Sequence, residues 1–328
     1  MKPTIKDVAR EANVSISTVS YAVNNSDRIS DKTRQHVLDV VRRLNYSANS
    51  NAKQLRQRNN GAIGIFFNSW FGPIYSEIVK GVEKKVQEMG YDLIACSGFG
   101  GADSTAHRYL KDKMVDGAII LSNALSDDLL RSTADKNLPF ILLDREINAP
   151  HIYNVLIDNF GGAFSATKTL IKSGCNEVYY FSGPEKSFDN QKRQDGYIAA
   201  LGFYNIPFTQ NLIVHCDFTE KGGYREMVKL IKRGLRPKAI FAGNDEMAIG
   251  ILRAAREYQI SVPSELKIIG FDDIRESEMT MPALTTVSHL KFNKGELAAT
   301  ILFDAINRKS DIDPITMLPT TLVERNTM

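Results

Sequence analysis

At 328 residues the chain is longer than one average domain and suggests two or three. Its 43% hydrophobic and 24% charged residues are ordinary for a soluble globular protein able to bury a sizeable core. The start, MKPTIKDVAR, has no apolar signal core, and no later apolar run approaches the roughly 20 residues that span a bilayer, so a cytoplasmic chain without a membrane partner is expected. Cys96, Cys175 and Cys216 are an odd number without a C-x-x-C pair, which fits a reducing compartment and small buried side chains.

The net charge of +3 hides an asymmetry: residues 1–60 carry eleven Lys/Arg against five Asp/Glu, a net +6, and the rest of the chain is −3. A basic head on a mildly acidic body points to a polyanion met by the head alone. Thr4 can cap a helix whose Ile5, Val8, Ala9 and Ala12 follow the i, i+3, i+4, i+7 rule, with Asp7 three residues after the cap. Asn13 tolerates the left-handed backbone that ends a helix, Val14 tucks inward, and Ser15 offers an oxygen to the next helix's orphan N–H groups. In that second helix Val19, Ala22 and Val23 face inward and leave Ile16, Ser17 and Tyr21 on an uncharged outer face. Ser30 caps a third helix, DKTRQHVLDVVRRLN, with Val37, Val41 and Leu44 inward and Arg34, Arg42 and Arg43 outside. The dense hydroxyls of VSISTVSYAVNN suit a helix lying in the major groove. Thr18 and Ser20 are compact donors for phosphates, and Ile16, Ser17 and Tyr21 can meet base edges.

The run TIKDVAREANVSISTVSYAVNN resembles the DNA-binding headpiece of the lactose-repressor/galactose-repressor family of bacterial transcription regulators, and the similarity continues almost to the C-terminus. The resemblance implies that Ile16, Ser17 and Tyr21 read bases and that Thr18, Ser20 and Asn24 lie near phosphates of double-stranded operator DNA. Many relatives have Arg or His where this chain has Tyr21. The next stretch, NYSANSNAKQLRQRNNG, is polar and basic and alone reads as a linker. The family's corresponding segment folds on operator DNA and pairs with its twin in the minor groove. By position this makes Ala52 the small contact residue and Leu55 the wedge that opens a base step. Asn51 departs from the usual valine of that helix.

From Gly61 short apolar runs alternate with amphipathic helices. AIGIFF, YDLIAC, DGAIIL, PFILLD and NVLI read as buried strands, and EVYYFS, LIVHC, KAIFA and LKIIG continue after a helix near 162–173. Such alternation means parallel sheets with helices on both faces, and around nine strands suggest two sheets facing across a cleft. With the family resemblance, which implies a periplasmic-binding-protein-like body, the fold expected is an all-α helix-turn-helix headpiece plus an α/β periplasmic-binding-protein-like core of two doubly wound parallel-sheet subdomains. The headpiece is placed at 1–46, a hinge at 47–60 and the core at 61–328. One subdomain takes about 61–158 and 291–318, the other about 159–290 and 319–328. Ligands bind beyond the carboxyl ends of such strands, where the sequence places Asn68, Ser69, Asp144, Arg145, Asp158, Asn244, Asp245, Asp272 and Asp273. Asn244 and Asp245 precede a helix and read equally well as caps.

The body resembles the effector domain of the same family. By motif position this makes Arg193 in SFDNQKRQDGY the arginine that holds an effector hydroxyl, Asn244 a polar contact, Asp272 an acceptor and Phe218 the stacking aromatic. Trp70, Phe71 and Tyr75 fall in the segment that lines the other wall. An aromatic platform ringed by Arg, Asn and Asp suits a sugar. Ser187 stands where the purine-responsive branch carries a basic residue, which argues against a purine. Asp127/Asp128 and Asp272/Asp273 are adjacent pairs and do not flank a bond as glycosidase carboxylates do. No G-x-S-x-G or Walker A motif appears, and the five histidines show no metal spacing, so no enzyme, cofactor or metal is expected. The chain stops at Met328 without a leucine-heptad tail, and a homodimer is expected. The function read from all this is repression of carbohydrate-utilisation genes from a near-palindromic operator, released by a sugar. A corepressor or protein co-regulator is the alternative, and the helix-turn-helix speaks against a plain solute-binding protein.

Overall fold

The computed structural model describes residues 3–23, 26–46, 60–68, 72–98, 100–143 and 145–328. The chain divides into two compact units, Met1–Asn60 and Gly61–Met328.

The first unit holds α1 (Ile5–Glu11), α2 (Ile16–Val23) and α3 (Asp31–Arg43). The backbone N–H and hydroxyl of Thr4 both donate to Asp7 Oδ2, at 2.9 and 2.7 Å, which fixes the start of α1. Asn13 takes a φ of 50°, and the chain turns so that Val14 N–H donates to Ala9 O at 3.0 Å. Ser15 Oγ accepts from Thr18 N–H at 3.1 Å and lies 2.7 and 2.8 Å from the Ser17 and Thr18 hydroxyls. The hydroxyl cluster therefore caps α2. Val8, Val19 and Val37 are fully buried together with Ala9, Ala12, Ala22 and Val40. Val40, and not Val41, is the deeper residue of α3. It follows Val37 by three, whereas Val41 and Leu44 pack at the edge of the cluster.

The second unit begins β1 (Ala62–Phe67), α4 (Pro73–Glu88), β2 (Asp92–Ser97), α5 (Thr105–Lys111), β3 (Gly117–Leu121), α6 (Asp127–Thr133), β4 (Phe140–Leu142) and β5 (Ile152–Ile157). It continues α7 (Asn159–Lys172), β6 (Tyr179–Ser182), α8 (Phe188–Phe203), β7 (Ile213–His215), α9 (Glu220–Lys232), β8 (Ala239–Ala242), α10 (Asp245–Glu257) and β9 (Lys267–Asp272). It closes with α11 (Arg275–Met279), β10 (Thr285–His289), α12 (Lys291–Ile306), β11 (Ile315–Leu318) and β12 (Thr320–Val323). Two six-stranded sheets result, ordered β11-β5-β4-β3-β1-β2 and β12-β10-β9-β8-β6-β7. All pairings are parallel except β10 with β12. Both faces of β1 are buried. Ile63, Ile65 and Phe67 pack under α4 and α12, while Ala62 and Phe66 join the opposite cluster with Leu110 and Leu130.

The chain passes between the sheets after β5, after β10 and between β11 and β12. Two of these crossings are tied together: Asp158 N–H donates to Leu318 O at 2.9 Å, and the Thr320 hydroxyl donates to Asp158 O at 3.2 Å. Helices α4 and α12 meet at glycines. A Cβ on Gly81 would lie 2.1 Å from Phe292 O, and one on Gly295 would lie 2.1 Å from Ile78 O. Among the described residues no helix is long and apolar enough to cross a membrane.

Candidate functional site

In the first unit, Ile16 and Ser17 stand exposed on the outer face of α2. Tyr21 is half-buried on the same helix, and Thr18 and Ser20 lie half-buried beside it. Thr18 serves first as a cap partner, through its hydroxyl contact with Ser15. Arg34, Arg42 and Arg43 are not idle charges: they pair with Asp31, Asp39 and Glu11 at 2.6, 3.3 and 3.0 Å. Asn24, Ala52 and Leu55 lie outside the described residues.

In the second unit a cavity of about 390 Å³ opens where the two sheets face each other, at the carboxyl ends of their strands. Arg193 reaches it because α8 buries Asn190, Arg193, Gly196, Tyr197 and Ala200 on one stripe. Each guanidinium nitrogen makes one hydrogen bond, which uses three of its five N–H donors. Nε donates to Asn159 Oδ1 at 2.8 Å, Nη1 to Gly243 O at 2.6 Å and Nη2 to Asp272 Oδ1 at 3.2 Å. Its plane lies over the Phe271 ring, 3.8 Å from the centroid.

Asp272 ends β9 with a φ of 110°, a region that favours glycine. Lys291 braces this turn by donating to the carbonyl oxygens of Asp272 and Asp273. Burial pushes the Asp272 carboxyl up, but Arg193, His289 and Lys291 hold it below the usual aspartate range. His289 Nε2 lies 3.4 Å from Asp272 Oδ1, and burial lowers the imidazole below its ordinary value, against the pull of Asp272. Among the described residues the ring's buried Nδ1 finds no hydrogen-bond partner.

Phe218 also takes a left-handed backbone, with φ 63°. Asn244 Nδ2 donates to its carbonyl oxygen at 3.0 Å, and the ring lies so close to Gly183 that a Cβ there would fall 2.2 Å away. Asn244 has a double role, since its Oδ1 also caps α10 by accepting from Met247 N–H at 3.0 Å. Tyr75 lines the opposite wall from α4 with its ring 5.7 Å from Phe67.

Of the residues singled out in the sequence, Tyr75, Arg193, Phe218, Asn244, Asp272 and Asn68 line this one cavity. Trp70 and Phe71 lie outside the described residues, as do Ser69 and Asp144. Four strand-end residues serve elsewhere. Arg145 holds Ser122 O, Leu125 O and Asp127. Asp158 caps α7 through Gly161 N–H. Asp273 pairs with Arg325 at 2.7 Å. Asp245 is buried and accepts from Ser277, Thr286 and Ile274 N–H. Burial, and then the nearby charge of Asp272, push the Asp245 carboxyl up to about 7.

The cavity also gathers residues that the sequence reading passed over: Asn123, Lys186, Asp189, Glu246, His289 and Lys294. Lys294 is buried and donates to Leu143 O at 2.9 Å. Ser187 caps α8 by accepting from Asn190 N–H, and a basic group stands next to it after all, in Lys186. His289 ends β10 and Asn123 follows β3 by two residues, so these two stood where the strand-end rule points, whereas Lys186, Asp189, Glu246 and Lys294 lie away from strand ends. Among the described residues no group of three or more His, Cys, Asp or Glu is placed to hold a metal ion.

A helix-turn-helix unit followed by a two-sheet core with a polar cleft defines a DNA-binding regulator carrying a small-molecule site. A family model described as bacterial regulatory proteins, lacI family, matches residues 4–49, and a periplasmic binding protein-like domain matches residues 167–328. The HTH-type transcriptional repressor PurR of Photorhabdus laumondii is 33% identical over 99% of this chain and 96% of its own. A lac repressor dimer bound to operator and the anti-inducer ONPF superposes with a TM-score of 0.81 at 26% identity, covering 100% of this chain and 99% of that one. A complex of the transcriptional regulator CelR with cellobiose gives 0.73 at 28% identity over 99% and 100%. The chain belongs to the lacI family of bacterial regulatory proteins. Like its homologues it is a transcriptional repressor and not an enzyme.

Proposed function

We propose that the chain is a homodimeric repressor of carbohydrate-utilisation genes, released from a near-palindromic operator by a sugar held in the cleft. One observation carries the choice of a sugar. The cavity sets a phenylalanine ring beside Arg193, Asn244 and Asp272, an apolar platform within reach of groups that bond hydroxyls. His289, whose buried Nδ1 has no hydrogen-bond partner among the described residues, lines the same cavity. The cellobiose complex of CelR and a ribose complex of an Enterococcus faecium regulator, 27% identical with a TM-score of 0.72 over 81% of this chain and 98% of that one, support the same chemistry. Ile16, Ser17 and Tyr21 would read bases, Thr18, Ser20 and Asn24 would hold phosphates, and Ala52 and Leu55 would enter the minor groove. Lys186 at the cavity edge makes sugar phosphates part of the question.

The test is operator affinity at fixed salt, on DNA selected from a random pool, with and without a panel of sugars, sugar phosphates and purines. Weakened binding with a sugar supports the proposal. Unchanged binding with every sugar, or tighter binding with a purine, overturns carbohydrate induction in favour of a corepressor. Replacing Leu55 with Ala is expected to weaken specific binding more than non-specific binding, and equal losses would reject the wedge role.

A further inference from the structure

Five arginines are described in the first unit, and four of them are matched to acids: Arg10 with Asp7, Arg34 with Asp31, Arg42 with Asp39 and Arg43 with Glu11. Arg28 is the exception, with no ion pair among the described residues. It is nevertheless not a loose side chain. Nη1 donates to Tyr21 OH at 3.4 Å, and the guanidinium carbon lies 5.6 Å from the centroid of the Tyr21 ring. The loop that carries it is fastened to α2: Ser26 N–H donates to Tyr21 O at 2.9 Å, Arg34 Nη2 donates to Ser26 O at 3.0 Å, and Arg28 N–H reaches Ser26 Oγ at 3.4 Å.

A cation without an acid partner, anchored beside an aromatic residue on the outer face of a recognition helix, has a plain chemical use. Tyr21 alone offers one hydroxyl, which cannot make the paired contact that distinguishes guanine from the other bases. A guanidinium presents two parallel N–H groups that fit guanine O6 and N7. We propose that Arg28 is a specificity-determining residue that reads a guanine in each operator half-site, with Tyr21 as the positioning residue that holds the guanidinium at the groove. The proposal rests on the reading that the outer face of α2 meets base edges. It puts the positive charge of the reading face on the loop after α2, while the helix itself stays uncharged.

The experiment selects operators from a random DNA pool with the full-length wild-type chain. It then measures affinity at several salt concentrations for Arg28→Ala, Arg28→Lys, Tyr21→Phe, Tyr21→Ala, Ile16→Ala and Ser17→Ala. Arg28→Ala is expected to erase a guanine preference of about tenfold or more at one position per half-site and leave the other positions unchanged. Arg28→Lys should recover little of it, because a point charge lacks the fork. Tyr21→Ala should weaken the same preference, Tyr21→Phe should keep much of it through the ring, and the Arg28 and Tyr21 effects should not add. A uniform loss on all sequences with a salt slope shallower by about one would make Arg28 a phosphate contact and overturn base reading. No change at all would overturn any contact. If Ile16→Ala and Ser17→Ala alter base preference while Arg28→Ala does not, the recognition-helix reading stands and this proposal falls. If none of the variants alters base preference, the recognition-helix reading fails with it.

Discussion

Replacing Arg193 tests how the cleft is held together. Arg193→Ala removes three donors, to Asn159, Gly243 and Asp272, and the cation stacked on Phe271. It leaves Asp272, which is 2% exposed, without its principal counter-charge. Breaking one side of a buried pair costs about 3–5 kcal/mol, since the remaining charge is uncompensated. His289 and Lys291 still face Asp272, which places the expected loss at the lower end, about 3 kcal/mol. Arg193→Lys keeps the charge but not the planar fork and should lose less. Urea unfolding followed by circular dichroism at neutral pH reads this as a lower midpoint at unchanged slope. The pH dependence supplies a second readout. A carboxyl held below its ordinary value contributes stability that is present above that value and lost as pH falls through the lowered one. The Arg193→Ala chain should lose less stability on acidification than wild type. An unchanged midpoint, together with an unchanged acid limb, would refute the view that Asp272 depends on Arg193.

Four further outcomes follow from the packing and charge. Asp245 has the opposite sign: its carboxyl lies at about 7 against an ordinary 3.8, so the folded chain keeps a proton that the unfolded chain has released. Its contribution falls as pH rises from about 4 to about 7, by up to about 4 kcal/mol, and Asp245→Asn should flatten that limb of the denaturation profile. Gly295→Ala drives a methyl into Ile78 O and should cost about 1–3 kcal/mol in thermal unfolding. Gly202→Ala, in α8 with nothing within 4 Å, should raise stability by about 0.5–1 kcal/mol, and a reversal of that order would contradict the packing described. Val19→Ala trims a fully buried side chain from the small headpiece core, and the loss of about 2 kcal/mol should appear as faster amide exchange across residues 5–43 of the full chain.

What the sequence disclosed and what it hid divide along a physical line. The nine apolar runs became strands, most of them because parallel strands buried on both faces must be apolar throughout, as AIGIFF is, while the edge strands β2 and β7 are only partly buried. TTVSH and ITML escaped. The first is rich in hydroxyls that the fold satisfies internally, Thr286 on Asp245 among them, and the second is a half-exposed edge strand. Helix starts were legible because Thr4, Ser15 and Ser30 act on neighbours within three residues. Arg193 and Asp272 were found by motif, but their mutual contact spans 79 positions, and no local pattern encodes it. Asp245 and Arg145, which the sequence left open between cleft and scaffold, are bonded to residues far along the chain for the same reason. A polar residue at a strand end serves the cleft or the scaffold according to partners that lie far along the chain.

The position of those partners also bears on how a bound molecule could act at a distance. Residues 289–294 form a crossing between the sheets, and this short stretch carries three of the groups around Asp272 and the cavity. His289 ends β10 in one sheet and faces the Asp272 carboxyl, while Lys291 opens α12, which packs on the other sheet, and grips the Asp272 and Asp273 carbonyls. Lys294, one turn on, lines the cavity and bonds Leu143 O in the first lobe. A ligand moves a conformational equilibrium only by binding the two states unequally. Asp272 is a residue whose side chain is fixed from one lobe, by Arg193 and His289, and whose backbone is fixed by Lys291 of the helix that packs on the other. The Lys291 hold on the Asp272 and Asp273 carbonyls is therefore a contact that joins the two lobes at the edge of the cavity.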